Sequence, residues 1–182
     1  MREISLHILD IVQNSISANA DLIEVFITED RKTNLFSVVI RDNGKGMDKE
    51  LLKSVIDPFT TSRSTRKVGL GIPLFKLAAE NTGGSFYITS EVGKGTEVTA
   101  NFVHNSIDRQ PLGDMAETML GLFSSYEHIT FVYKHTLDGN EFSVKTEELK
   151  AVLNGVSFSE PSIYMWLCDY LKNGENELLS KV

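Results

Sequence analysis

The residues best placed to do chemistry in this chain start with Asp10 and Asn14, four apart in HILDIVQNSISANA, His7 to Ala20. On a helix that spacing points both side chains into one space, and His7 and Ala18 complete the stripe. An amide oxygen is a suitable hard ligand for Mg²⁺, a cation that keeps several waters and also takes phosphate oxygens. A carboxylate one turn earlier could orient or deprotonate a water near that metal. A polar surface stripe without function is the other reading of the same pattern.

A second group is IRDNGKGM, Ile40 to Met47. The alternating apolar run before it ends in Asp42, and the turn that follows holds Gly44 and Gly46. A carboxylate at a strand end can accept a hydrogen bond from an exocyclic amine. Glycine lets the backbone approach a flat ligand without a Cβ in the way. A solvated Asp-Asn-Gly turn also accounts for these residues.

A third group is DPFTTSRSTRKVG, Asp57 to Gly69, where Arg63, Arg66 and Lys67 stand among many hydroxyls. Charged hydrogen bonds of roughly 1.5–3 kcal/mol each suit a triphosphate; a solvated basic loop is the alternative. Gly69, Leu70 and Gly71 then open a helix. Free N–H groups and a positive dipole end at a helix N-terminus favour phosphate.

The elements that must position these groups are legible from periodicity. Ile4, Ile8, Ile11, Val12 and Ile16 predict a helix over roughly Ile4 to Asn19. Alternating runs predict strands over Leu22–Thr28 and Leu35–Arg41, joined by a hairpin loop. Asp48 is the expected cap of a short helix to Ile56, and Gly83 and Gly84 mark the end of the helix opened at Gly71. Strands over Ser85–Val92 and Thr96–Val103 follow, joined by GKG. This order predicts an α+β fold, a two-layer α/β sandwich with helices on one face of an antiparallel or mixed sheet.

Taken together, HILDIVQNSISANA, IRDNGKGM, VGLGIPLF and EVGKGTEVTANF resemble the signature boxes of the GHKL superfamily: gyrase, Hsp90, histidine kinases and the mismatch-repair protein MutL. The resemblance covers Ile4 to about Val103. It is closest in look to the catalytic ATP-binding domain of histidine kinases, with a MutL-like first box. It implies the Bergerat ATP-binding fold, with ATP and Mg²⁺ as cofactors and Asn14 as the Mg²⁺ ligand. Asp10 stands where ATP-hydrolysing members have a catalytic glutamate. Ala18, Asp42, Gly44, Gly46, Met47, Gly69, Leu70 and Gly71 fall in boxes that line the nucleotide. Phe59 matches the anchor of the kinase-type PFTTS stretch, ahead of Arg63, Arg66 and Lys67, and Thr96 matches the residue on the adenine side. The chain departs from the pattern at Asp10, one methylene shorter than glutamate. It departs again at Ser17, where many kinases carry a base, and at Lys67, where the kinase pattern has a glycine. The expected partners are ATP or ADP and a protein, either a response regulator or an accessory redox or hydrogenase complex subunit.

After Asn105 the family pattern ends, so residues 1–104 are expected to form the ATP-binding domain and 105–182 a small α/β appendage. Its predicted order is α-β-β-α-α. Thr146 is read as a capping-box residue, Ser159 as a cap before Pro161, and Gly174 as a helix stop. Tyr164, Trp166 and Tyr170 are read as core rather than as a docking face. The appendage carries 12 acids and 6 bases, a balance that argues against phosphate-backbone binding and hence against nucleic acid.

With 41% hydrophobic and 24% charged residues the composition is that of an ordinary globular protein. Apolar runs fall short of a membrane span, the N-terminal stretch lacks a signal-peptide core, and the single Cys168 has no disulfide partner. These features predict a cytoplasmic protein without a membrane anchor. None of His7, His104, His128 and His135 sits in a phosphoacceptor-like helical hairpin. Two functions remain: an enzyme that sends the γ-phosphate of ATP to water or protein, and a non-catalytic module that senses ATP or ADP.

Overall fold

The computed structural model describes residues 3–56 and 69–181. Its elements are α1 (Ile4–Ser17), β1 (Leu22–Asp30), β2 (Leu35–Asp42), α2 (Lys49–Ile56), α3 (Gly71–Asn81), β3 (Ser85–Glu91), β4 (Gly95–Val103), α4 (Met115–Ser125), β5 (Thr130–Leu137), β6 (Asn140–Lys145), α5 (Thr146–Val152) and α6 (Pro161–Ser180). The strands form one mixed sheet in the order β3-β4-β2-β1-β5-β6.

Period-two alternation sets the two faces of this sheet. Ile23, Val25 and Ile27 of β1, Phe36, Val38 and Ile40 of β2, and Phe131 and Tyr133 of β5 are all buried. Against them pack Ile4, Ile8, Ile11 and Val12 of α1, Phe75 of α3, Phe123 of α4, and Leu167 and Leu171 of α6. This is the expected α+β sandwich. β1 pairs antiparallel with β2, and β2 with β4, a register that brings Asp42 beside both Ile23 and Thr96.

The connection after β4 joins the two halves of the chain. β5 pairs parallel with β1, from Leu22 opposite Thr130 to Glu29 opposite Leu137, so the sheet runs unbroken into the residues after Asn105. The linker also closes the N-terminus of α1. Glu3 offers that helix no side-chain cap. Instead the Ile4 and Ser5 N–H groups donate to the carbonyls of Pro111 and Leu112 at 3.0 and 2.8 Å.

A charged network ties the seam. His135 of β5 lies between Glu29 of β1 (3.1 Å to Nε2) and Glu175 of α6 (2.8 Å to Nδ1). Glu29 also meets His104 at 2.8 Å, and Glu175 accepts from the Tyr133 hydroxyl at 2.7 Å. Burial opposes charge on His135, but the two facing carboxylates outweigh it and raise its pKa to about 9. Burial likewise works against ionised Glu29, and hydrogen bonds from His135 and His104 win there, lowering its pKa. The same burial, reinforced by Glu175, holds the Tyr133 hydroxyl protonated well above the ordinary range.

Several sequence expectations are corrected. α1 ends at Ser17 rather than Asn19, because Asn19 adopts the left-handed conformation (φ 59°). Glu160, not Ser159, caps α6: its carboxylate accepts from the N–H groups of Ser162 and Ile163. Gly174 does not stop that helix. The space a Cβ would fill there is taken by the Phe142 ring, 2.1 Å away, so a glycine is needed within the helix. Thr146 is no capping residue; its buried hydroxyl accepts from the Phe131 N–H at 2.9 Å and ties α5 to β5. Tyr164, Trp166 and Tyr170 are not core but lie exposed on α6. Asp48 caps α2 as expected, accepting from the Leu51 N–H at 2.8 Å, and Asp114, not singled out from sequence, caps α4 by accepting from the Glu117 N–H at 2.8 Å.

Candidate functional site

The site is built where β2 ends beneath α1. Asp42 is the last residue of β2, and both its oxygens are engaged. Oδ2 accepts from the Ser15 hydroxyl at 2.6 Å, and Oδ1 accepts from the Gly44 N–H at 2.9 Å. A carboxylate offers about four lone-pair sites, so each oxygen keeps capacity for one more donor.

The glycine turn is locked from both sides. A Cβ on Gly44 would stand 2.9 Å from the Ala18 Cβ, which explains the small residue at each position. Gly46 has φ +65°, and its Cβ would fall 1.9 Å from the Glu91 carbonyl oxygen. Only glycine satisfies both conditions. Ser90 of β3 fastens the end of the turn, accepting from the Met47 N–H at 2.8 Å and lying 2.9 Å from the Thr96 hydroxyl.

Between α1, this turn and α2 opens a cleft of about 390 Å³. Ile11, Ile40, Ile72 and Val98 give it apolar walls, and Asp42 and Thr96 stand together at one end. Asn14 and Ser17 lie on its rim. A mostly apolar slot with a few fixed polar groups suits a planar heteroaromatic ring with a polar tail.

Of the residues singled out from sequence, Asn14, Ala18, Asp42, Gly46, Met47, Gly69 and Thr96 line this cleft. Gly44 lies beneath it as support for the turn. Asp10 is outside its lining and meets the start of α3: a Cβ on Gly71 would be 3.2 Å from the Asp10 carboxylate. Leu70 precedes α3 and is largely exposed. Phe59, Arg63, Arg66 and Lys67 lie outside the described residues. Sequence reasoning missed Ser15 and Ser90. Ser15 could have been found, because it sits on the sheet-facing side of α1, where a hydroxyl among isoleucines needs a partner. Ser90 carries no such signal.

His7 is 1% exposed and stacks on Phe75, with ring centroids 5.2 Å apart. It meets the Gln110 side-chain oxygen at 3.1 Å through Nε2, which therefore carries the proton. Among the described residues its Nδ1 has no partner, and burial lowers its pKa. It is a neutral packing residue between α1 and α3.

Among the described residues no group of three or more His, Cys, Asp or Glu side chains is placed to hold a metal ion. The available donors still fit Mg²⁺. Asn14 presents a hard amide oxygen on an exposed rim, with the Asp10 carboxylate one turn away, and Mg²⁺ fills its remaining positions with water and phosphate. Among the described residues no helix is long and apolar enough to cross a membrane.

Fold and cleft together define an α+β protein with a mostly apolar slot that carries a few fixed polar groups. Residues 2–107 match the family described as Histidine kinase-, DNA gyrase B-, and HSP90-like ATPase, and the chain belongs to that family. It is similar to sporulation kinase D of Bacillus subtilis, 42% identical over 62 residues that make up 34% of this chain and 12% of that protein. It is also similar to the tetrathionate sensor histidine kinase TtrS of Salmonella typhimurium, 30% identical over 106 residues, 56% of this chain and 17% of that protein. The chain thus matches less than a fifth of the length of these relatives. A crystal structure of the N-terminal domain of a DNA repair protein shares the fold, with TM-score 0.51 and 18% identity over 79% of this chain and 52% of that one.

Proposed function

We propose that this chain binds Mg²⁺-ATP in the cleft between α1, the glycine turn and α2, and passes the γ-phosphate slowly to water or to a partner protein. The observation that carries this reading is the convergence of Asp42 and Thr96 at one end of an apolar slot whose rim bears Asn14. Asp42 would accept from the adenine amine with an oxygen that Ser15 and Gly44 already hold in place. The apolar walls would take the faces of the ring. Asn14 would hold Mg²⁺, which supplies charge neutralisation at the phosphates when bound. Asp10 would orient a water and take its proton on a carboxylate oxygen, and Arg63, Arg66 and Lys67 would meet phosphate from Asp57–Gly69.

The residues after Asn105 would report the state of the site. In support, the carbonyls of Pro111 and Leu112 receive the first N–H groups of α1, the helix that carries Asp10 and Asn14. The natural recipients are a response regulator or an accessory subunit of a redox complex, in the cytoplasm. The likeness to sensor kinases favours the former.

The test is calorimetric titration with Mg²⁺-ATP, Mg²⁺-ADP and Mg²⁺-GTP. Adenine nucleotides should bind and GTP should bind at least tenfold more weakly, because guanine presents an acceptor where adenine presents its amine. Equal affinity for ATP and GTP removes Asp42 from the role of adenine selector.

A further inference from the structure

The sheet ends in β6, and the register and charges of that strand fit a second copy of the same strand. We propose that two copies of this chain join through β6, antiparallel about a two-fold axis at Ser143, to make one continuous sheet. This goes beyond the nucleotide reading and does not depend on it.

Among the described residues β6 is an edge strand, paired only with β5. The β5–β6 turn is a two-residue loop, Asp138 and Gly139, both at positive φ, closing on Leu137 opposite Asn140. In such a hairpin the hydrogen-bonding direction alternates residue by residue. Asn140, Phe142 and Val144 therefore turn their backbone groups toward β5. Among the described residues, the N–H and C=O groups of Glu141 and Ser143 and the N–H of Lys145 face outward, unpaired within the sheet; the Lys145 carbonyl, at the N-cap of α5, serves that helix.

Exposed edges invite pairing, and charges usually blunt them. Here the charges are arranged to pair. Centring an antiparallel self-pairing on Ser143 sets Glu141 opposite the partner's Lys145, and Lys145 opposite the partner's Glu141. The same register sets Phe142 opposite the partner's Val144, an aromatic facing a β-branched residue. The residues brought face to face at Glu141, Ser143 and Lys145 all have outward N–H groups, so Ser143 can exchange two hydrogen bonds with its counterpart and each Lys145 N–H can donate to the partner's Glu141 carbonyl, while the Lys145 carbonyl stays with α5. Centring the pairing on Glu141 or on Lys145 instead would oppose like charges. β3, the other edge, carries Glu91 and no basic residue and has no such self-match.

The apolar surface continues from β6 onto α6. Tyr170 lies 5.9 Å from the Phe142 ring, and Trp166 stacks on Tyr170 at 5.4 Å and 11°. Trp166 is 42% and Tyr170 38% exposed, so this aromatic pair extends the edge as a surface a second copy would cover. The present partners of the edge charges, Lys134 on Glu141 (2.6 Å) and Glu147 on Lys145 (3.2 Å), are exposed pairs that cost little to share.

Sedimentation of the full chain from about 1 to 300 μM tests the proposal, with a far-UV spectrum and melt to verify that each variant folds. Wild type should show a dimer. Ser143→Pro removes an outward N–H and should give a monomer. Glu141→Lys and Lys145→Glu should each weaken the dimer about tenfold or more, and the two together should restore it. A wild type that stays monomeric throughout overturns the proposal. A dimer that ignores Ser143→Pro, or singles that weaken it without rescue by the pair, overturns it equally.

Discussion

The Ser15 hydroxyl donates to Asp42 Oδ2 across 2.6 Å, so the helix that carries Asn14 also fixes the carboxylate at the far end of the cleft. With the Gly44 N–H on the other oxygen, Asp42 is held in one orientation before any ligand arrives. Its remaining acceptor positions open on the cleft that Thr96 also lines.

Asp42→Asn should weaken ATP binding about 10- to 150-fold, the equivalent of one charged hydrogen bond of roughly 1.5–3 kcal/mol. Ser15→Ala should cost less, about three- to tenfold, because it leaves the acceptor in place and removes only a bond that orients it. Calorimetry on the two variants checks the order. An Asp42→Asn protein with wild-type ATP affinity is incompatible with the assignment.

Asn14→Ala should separate nucleotide from metal. Ligand that binds only the folded state raises the melting temperature. Wild type should gain a shift with ATP and a further one when Mg²⁺ is added. The variant should keep the first and lose most of the second. Identical Mg²⁺ responses in both proteins would show that Asn14 is not the ligand.

Gly46→Ala should destabilise the protein by about 2 kcal/mol or more. The residue sits at φ +65°, and the added methyl meets the Glu91 carbonyl at 1.9 Å, so strain and steric overlap act together. A urea melt that matches wild type would contradict the geometry of the turn.

His135 makes stability depend on alkali. Its folded pKa of about 9 lies above the ordinary 6.5, so the imidazolium's contribution is complete below about pH 6.5 and is lost as pH rises through about 9. The shift corresponds to roughly 3 kcal/mol, and the residue is almost wholly buried. Glu29, with its pKa lowered, adds a loss on the acid side, as pH falls through its folded value. Melts of wild type from pH 6 to 10 should fall on the alkaline side. His135→Gln should start lower and fall less. Parallel curves for the two proteins would remove His135 from the account.

How much of this was legible in the sequence follows from the range of each interaction. Asp10, Asn14 and the turn from Asp42 to Met47 are local patterns, and seven of the residues read from sequence line one cleft. The strands and α1 were legible for the same reason: alternation and helical spacing report directly which face is buried. The pairing of β5 with β1 was not, since no local signal records which strand a crossover returns to. The contacts of Glu29 with His135 and of His135 with Glu175 join residues 106 and 40 positions apart, and each residue alone reads as an ordinary polar side chain. Gly174 read as a helix stop because glycine usually is one; the Phe142 ring that requires it comes from a strand 32 positions earlier in number. Trp166 and Tyr170 read as core because aromatics at helical spacing usually are, yet Leu167 and Leu171 take the buried face of α6 and leave the aromatics on the exposed one beside it.

On the proposed function, bound ATP is slowly consumed, with Asp10 acting on the attacking water. Purified wild type and Asp10→Asn are incubated with γ-labelled Mg²⁺-ATP, and label is followed as free phosphate and on protein, with ATP affinity measured in parallel. General-base assistance is worth about 10² to 10⁴ in rate, so Asp10→Asn should release phosphate at least tenfold more slowly while binding ATP nearly as wild type does. Wild type that releases no phosphate above background, alone or with candidate partner proteins, while both forms bind ATP equally, contradicts the enzyme reading and leaves a nucleotide sensor. Label on one of the chain's own histidines contradicts both.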